Sequence, residues 1–277
     1  MSRKKVKLIT LGADPEVFVS ENGELTPCIG YFEGTKDEPT IYEINGTEIG
    51  VQEDNVMFEF NTKPADSKEA FIEIMRNTLT GCRSLLDDKG LSMEIQSSAT
   101  FSEQALEHPQ AQKSGCDPDE NAWEEMMCDP VDLSTIRERC AGGHVHLGIK
   151  VEGEGQFPDP SIRSELVKLL DVHVGLEDVI RNPDRVRKEL YGAAGSFRFK
   201  PYGLEYRSPS NYWIASDELV GKMWDNVEKA IKAYNNNFEI TEEFGNQVVQ
   251  AINTCNVEVC THLLLTLNKK KEYASKL

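Results

Sequence analysis

Apolar and polar residues alternate with a period of two in several short stretches and recur near every 3.6 residues in longer ones, so the chain reads as a mixture of strands and helices. A strand is expected over Val6 to Leu11, broken at Gly12-Ala13-Asp14-Pro15 and resumed over Glu16 to Ser20, with a turn at Glu21-Asn22-Gly23-Glu24. Gly30 to Gly50 is rich in Gly, Thr, Asp and Glu and reads as a long loop with a short extended piece around Ile41 to Ile44. Val56 to Asn61 alternates as a strand, with Phe58 and Phe60 on one face and Glu59 and Asn61 on the other.

Asp66 and Ser67 offer N-cap chemistry for a helix whose Phe71, Ile74, Met75, Leu79, Cys82, Leu85 and Leu86 recur at steps of three and four, ending near Gly90. A strand around Leu91 to Gln96 follows. Thr100 to Cys140 shows little apolar periodicity and is expected to be irregular and partly exposed. Alternation returns in Gly142 to Ile149, which puts His144 and His146 on one face and Val145, Leu147 and Ile149 on the other. Two long amphipathic helices, one through Ile162, Leu166, Leu169, Leu170 and Leu176 and one through Leu219, Val220, Met223, Val227, Ala230 and Ile231, flank two further strands, Gly195 to Lys200 and Gly203 to Ser208. No repeat, low-complexity block or Pro-rich linker divides the chain. Residues 1–277 therefore read as one α+β domain with an irregular insertion around 100–140 and C-terminal helices from 217 to 277.

A hydrophobic fraction of 39% over 277 residues is enough to bury a core. The 47 acidic against 30 basic side chains give a net charge of −17, which argues against direct nucleic-acid binding and invites cations. The cysteines number seven, with no C-x2-C spacing, which fits reduced thiols and a cytoplasmic setting. Lys7 interrupts the apolar start too early for a signal peptide or membrane helix, so no membrane association is expected. Asn45-Gly46-Thr47 matches a glycosylation sequon but reads as a turn.

The common nucleotide signatures, G-x4-G-K-[ST] and G-x-G-x-x-G, are absent, and so is H-E-x-x-H. Five pairs spaced by two stand out instead: Asp14 and Glu16, Glu59 and Asn61, His144 and His146, Arg198 and Lys200, Glu205 and Arg207. Spacing of two on a strand means one face, with side chains about 7 Å apart. If these strands are neighbours in one antiparallel sheet, one face is apolar and covered by helices, and the other gathers carboxylates, imidazoles and cationic groups. Two carboxylates 4 Å apart repel by about 4 kcal/mol at an effective dielectric near 20, so such a concentration calls for a divalent cation. Oxygen donors with one imidazole suit Mg2+ or Mn2+. Any single pair fits an ordinary solvated strand equally well, and Glu205 with Arg207 fits a simple ion pair. It is their joint occurrence that points to a site.

These residues resemble the carboxylate-amine ligases with a glutamine synthetase-like catalytic domain, and among them the amidoligases common in tailed-phage genomes. The resemblance is carried by Gly12-Ala13-Asp14-Pro15-Glu16, by Glu59-Phe60-Asn61-Thr62 with Pro64, by Gly142-Gly143-His144-Val145-His146, and by Tyr202 to Asn211. It implies a curved antiparallel sheet with helices on its convex face, and divalent cations and ATP on its concave face. By position in the motifs, Asp14, Glu16, Glu59, His144 and Glu205 look like metal ligands, with Asp14 standing where the family carries Glu. His146, Arg198, Lys200 and Arg207 look like ATP contacts, and Glu59, Arg198 and Arg207 look like groups acting on the reacting atoms.

The implied reaction transfers the γ-phosphoryl of ATP to a carboxylate, after which an amine attacks the acyl phosphate. A carboxylate must take the ammonium proton, and Gln52-Glu53-Asp54 holds the candidates. Gly30 to Gly50 and Thr100 to Cys140 are expected to act as lids or substrate selectors. The partners implied are small-molecule or peptide carboxylates and amines, in the host cytoplasm if the gene is a phage's. Neither substrate identity nor oligomeric state transfers with the resemblance. Two other readings stand beside it: a two-metal hydrolase, which an H-x-H pair with scattered carboxylates also builds, and a non-catalytic binding or virion-associated protein that keeps the fold.

Overall fold

The computed structural model of the protein describes residues 3–35, 38–113, 118–128, 131–153 and 159–274. Strands β1 (Val6–Ala13) and β2 (Glu16–Glu21) form one path bent at Asp14-Pro15, and β2 turns into β3 (Glu24–Thr26) through Asn22 and Gly23, both left-handed at φ 52° and 83°. Strands β4 (Thr40–Ile44) and β5 (Thr47–Asp54) follow, and β6 (Met57–Asn61) turns back on β5 at Asn55. Gly30 to Gly50 is therefore not one long loop. Its second half is a β-hairpin whose two-residue turn, Asn45 and Gly46 at φ 51° and 77°, is the type that matches strand twist. The Asn45 sequon is that turn.

Helix α1 (Lys68–Asp87) is capped by Ser67 and buries Phe71, Met75, Leu79, Cys82 and Leu86, the apolar stripe that the spacing predicts. Strands β7 (Leu91–Glu94), β8 (Ser98–Thr100), β9 (Asp119–Asn121), β10 (Met126–Cys128), β11 (Glu138–Cys140) and β12 (Val145–Val151) come next. The stretch from Thr100 to Cys140 is thus largely irregular but contributes three short strands; its residues 114–117 and 129–130 lie outside the described residues. Helix α2 (Pro160–Leu170) is capped by Asp159, and a single π-helical turn, Asp171–Gly175, joins it to α3 (Leu176–Arg181). The remaining elements are α4 (Arg185–Leu190), β13 (Ser196–Lys200), β14 (Gly203–Tyr206), α5 (Asp217–Asn235), α6 (Glu242–Asn253) and α7 (Val257–Ala274).

The strands form two six-stranded antiparallel assemblies and a separate two-stranded ladder of β8 with β11, rather than one sheet. The first runs β1-β12-β14-β13-β9-β10; the second runs β3-β2-β6-β5-β4, with β7 also paired to β2. They meet at the Asp14-Pro15 bend, where the Thr62 N–H donates to Ala13 O at 2.8 Å and the Glu16 N–H donates to Gly142 O at 2.9 Å. Val145, Leu147, Phe197, Leu204 and Tyr206 turn one face of the first assembly onto Leu166, Leu170, Met223 and Val227 of α2 and α5. Val17, Val51, Phe58 and Phe60 of the second join the same core with α1. Each fully buried side chain of this size contributes roughly 1.5–3 kcal/mol, so the apolar face cannot slip register without losing the core. That in turn fixes the polar residues on the opposite face. The fold is α+β, a curled antiparallel sheet structure with helices on one side.

No helix among the described residues is long and apolar enough to cross a membrane. The six cysteines among them are free thiols.

Candidate active site

Register places the polar pairs in rows. Gly12, His146, Glu205 and Arg198 are successive cross-strand partners over β1, β12, β14 and β13. Asp14 and His144 continue β1 and β12 by two residues, and Arg207 continues β14. In the second assembly Glu16 faces Glu59, and Glu59 faces Gln52.

Two carboxylate-rich trios result. In the first, ligand atoms of Asp14, His146 and Glu205 lie within 4.8 Å of one another. His146 Nε2 is 2.9 Å from Asp14 Oδ2, and Lys200 Nζ is 2.7 Å from Glu205 Oε2. Glu205 also pairs with Arg207, and with Arg198 Nη1 at 3.7 Å. Asp14 Oδ1, His146 Nε2 and Glu205 Oε2 are buried without a hydrogen bond of good geometry among the described residues, held by ion pairing alone. In the second trio, ligand oxygens of Glu16, Asp54 and Glu59 also lie within 4.8 Å of one another. Glu59 Oε2 accepts from Gln52 Nε2 at 2.7 Å, and Glu16 Oε2 accepts from the Gly142 N–H at 2.6 Å.

The two trios differ in electrostatics. Burial opposes ionisation of Asp14, but the imidazoles of His146 and His144 outweigh it and hold the carboxyl well below the usual range. Burial and Asp14 would raise Glu205, yet Arg207, His144 and His146 bring it down to about 2. His146 is lowered by burial but lifted above its ordinary value by Asp14. The second trio has no comparable set of cations. Burial and the Asp54 charge push Glu16 up to about 8, and burial with Asp14, Asp54 and Glu16 pushes Glu59 well above the ordinary value. One cluster is ionised and balanced by protein cations; the other is strained toward protonation. A divalent cation would relieve the second directly. The donor sets fit such a cation: three carboxylates in one trio, and two carboxylates with an imidazole in the other.

The structure thus brings Asp14, Glu16, Glu59, His146, Arg198, Lys200, Glu205 and Arg207 to one polar face. His144 stands beside the first trio: its Nδ1 is 3.4 Å from Asp14 Oδ1 and 3.9 Å from Glu205 Oε1, and its Nε2 is 2.9 Å from the Tyr191 hydroxyl. Burial and the Arg207 guanidinium lower its pKa. Its ring folds over Gly142, where an added Cβ would fall well inside contact distance of the imidazole. A glycine is required there by close approach.

Several participants carry no strong signal in the sequence. Asp54 lies in the segment marked as holding a proton acceptor, on the same strand face as Gln52. Glu53, on the other face, accepts the N–H groups of Gly30 at 3.0 Å and Phe32 at 2.8 Å and so anchors a loop. Asp119 Oδ1 receives Arg207 Nε at 2.8 Å and Arg198 Nη2 at 3.3 Å. Tyr191 touches Arg207 as well as His144, and the Tyr202 hydroxyl meets His146 Nδ1. Alternation marks none of these as site residues, because Asp54 and Asp119 sit at strand ends, Tyr191 at the end of α4 and Tyr202 in the turn between β13 and β14. A cavity of about 210 Å³ opens beside the second trio, with Glu16 and Asp54 at one end and Met57, Leu133, Leu190 and Ala193 in its wall.

Comparison with known proteins adds three findings. Residues 134–272, half of the chain, match the family described as phage phiEco32-like COOH.NH2 ligase-type 2. Among solved structures, apo GmaS without ligand aligns over 99% of this chain and 70% of its own at 12% identity and a TM-score of 0.38. A GmaS/ADP complex aligns over 98% and 71% at 11% identity, also with a TM-score of 0.38. No curated protein matches.

Proposed function

The chain belongs to the phage phiEco32-like COOH.NH2 ligase-type 2 family, and from that membership we propose an ATP- and divalent-metal-dependent enzyme that joins a carboxylate to an amine through an acyl phosphate. The observation that carries the proposal is the pair of adjoining trios, Asp14-His146-Glu205 and Glu16-Asp54-Glu59, beside a cluster of cations. Phosphoryl transfer between two anions needs that combination. Family membership weighs for a ligase over a two-metal hydrolase. The whole chain is read as one catalytic domain, because both trios draw on strands joined through the Asp14-Pro15 bend.

Mg2+ or Mn2+ bound at the trios would screen the triphosphate and polarise the transferring phosphoryl group. The protein's part is positioning and charge. Arg207 and Arg198 present planar forks to phosphoryl or carboxylate oxygens, and both are oriented by Asp119 and Glu205. Lys200, held on Glu205 Oε2, adds a point charge for the same anion. Glu205 aligns three cations at once, and Tyr191 and Asp14 hold the His144 ring between them. Asp54 faces the site where Glu53 does not, which makes it the carboxylate placed to accept the ammonium proton. The free thiols support a reducing compartment such as the cytoplasm.

The test is ATP turnover by the purified protein with Mg2+ or Mn2+ and pooled acids and amines. ADP is expected only when an acid and an amine are both present, and Glu205→Gln or His144→Ala abolishes it. Phosphate release from simple esters without ATP would refute the ligase, and absence of any metal-nucleotide binding would favour a non-catalytic role.

A further inference from the structure

The 210 Å³ cavity beside Glu16 and Asp54 is far larger than a catalytic water or ammonia needs, since a water occupies about 30 Å³ in the liquid. Much of its wall is apolar: Met57, Val131, Leu133, Cys140, Leu190 and Ala193. Its charged wall is asymmetric. Glu16, Asp54, Asp119, Glu138 and Glu189 line it, against two cations among the described residues, Arg139 and Lys188.

Neither cation is available to a ligand anion. All the guanidinium nitrogens of Arg139 are engaged: Nε on Asn55 Oδ1 at 3.1 Å, Nη1 on the carbonyls of Ile136 and Glu138 at 2.6 and 2.8 Å, and Nη2 on those of Ala111 and Leu133 at 2.6 and 3.4 Å. Those five contacts use the five donors that the group has. Lys188 Nζ donates to Gly192 O at 3.0 Å and to Ser208 O at 2.7 Å, and its charge is met by Asp178 Oδ2 at 3.1 Å. Arg198, Lys200 and Arg207 do not line the cavity; Arg207 Nε and Arg198 Nη2 meet Asp119 Oδ1 at 2.8 and 3.3 Å, so the charge of Asp119 is already answered and the unbalanced wall is Glu16, Asp54 and Glu138. Even a divalent cation at Glu16-Asp54-Glu59 leaves the ionised trio one formal negative charge.

We propose that this cavity is the pocket for the amine substrate, and that the amine is an organic one with an uncharged, largely apolar body of several carbons rather than ammonia. This rests on the ligase reading above. The ammonium head is drawn to Glu16 and Asp54, where the reaction needs it. The body replaces water against the apolar wall. The activated acid, an anion, lies on the Arg198, Lys200 and Arg207 side. A second carboxylate on the amine's body would meet Glu138, and Glu189 already paired with Arg185, while neither lining cation among the described residues is free to answer it, so zwitterionic amino acids with a distal carboxylate are disfavoured.

The pocket can be tested by binding, independently of turnover, using hexylamine, its isostere hexanoate, and 6-aminohexanoate with the Mg2+-loaded protein, titrated by calorimetry or ligand-observed NMR. Hexylamine is expected to bind at least about tenfold more tightly than either carboxylate, and Leu133→Trp is expected to weaken it about tenfold or more. Leu133 is half-buried, and Val131→Trp, on another part of the wall, serves if the first variant misfolds. Hexanoate binding as tightly as hexylamine would overturn the proposal, as would hexylamine affinity unmoved by both variants. ADP formation separates the two readings. Turnover stimulated by ammonium as well as by hexylamine overturns the organic-amine pocket while leaving the ligase intact. Wall-dependent hexylamine binding without any ATP turnover supports the pocket and counts against the ligase.

Discussion

Glu16 on β2 and Glu59 on β6 are direct register partners in an antiparallel ladder, 2% and 6% exposed, with the Asp54 carboxylate within 4.8 Å of both. Like charges in that position work against folding, and the apolar partners Val17, Phe58 and Phe60 on the opposite face hold them there. The site's chemistry is bought with stability.

Metal binding should therefore be linked to proton release. The folded-state pKa of Glu16, about 8, lies above that of an unfolded glutamate, so the metal-free protein loses stability as pH rises from about 4.3 toward 8. A cation favours the ionised trio and is opposed by protons at lower pH. The rise in Tm produced by Mg2+ is expected to be larger at pH 8.5 than at pH 6, by differential scanning calorimetry. Equal increments at the two values would contradict the raised pKa.

Glu59→Gln and Glu205→Gln should move stability in opposite directions. Glu59→Gln relieves like-charge repulsion and is expected to stabilise the metal-free protein at pH 8 by on the order of 1–3 kcal/mol while removing ligase activity. Glu205→Gln leaves Arg207, Arg198 and Lys200 around a neutral amide and is expected to cost roughly 3–5 kcal/mol. Urea denaturation of the two variants in metal-free buffer reads the sign.

Gly142→Ala should report on how tightly the His144 ring is placed. The new methyl would occupy the space of the imidazole, and the ring is trapped between Asp14, Tyr191 and Arg207. A loss of about 1–3 kcal/mol is expected, with a displaced His144 imidazole resonance by NMR. An unchanged resonance would mean that the backbone, not the ring, gives way.

Behind the sheet, Asp171 in the π-helical turn accepts the Tyr206 hydroxyl at 2.7 Å and Trp123 Nε1 at 2.6 Å. Burial lifts its pKa to about 6, from about 3.9 in an unfolded chain, so its contribution falls as pH rises between those values. Asp171→Asn should destabilise the protein at pH 4.5, and that deficit should shrink by about 2 kcal/mol at pH 7, because the variant has no carboxyl to ionise. Denaturation followed by tryptophan fluorescence at the two pH values measures it.

Which side chains share a strand face was legible in the sequence. The two-residue period follows from local backbone geometry, so His144 with His146, Arg198 with Lys200 and Glu205 with Arg207 could be grouped before any tertiary contact was known. The α1 and α5 stripes and the Asn45-Gly46 turn were legible for the same reason: each is written within a few residues. Strand neighbours were not, because pairing depends on contacts between distant segments. The polar strands fall into two assemblies meeting at Asp14-Pro15, and Asp54 joins Glu16 and Glu59 because the tight turn at Asn55 sets the β5–β6 register. Asp119 and Tyr191 reach Arg207 from segments that carry no periodic signal. The sequence by itself determined the kinds of ligand and the faces that carry them. Only the tertiary structure decided which of them share a trio, which cations are already spent, and where a cavity remains, since those depend on through-space distance and local burial that no period along the chain encodes.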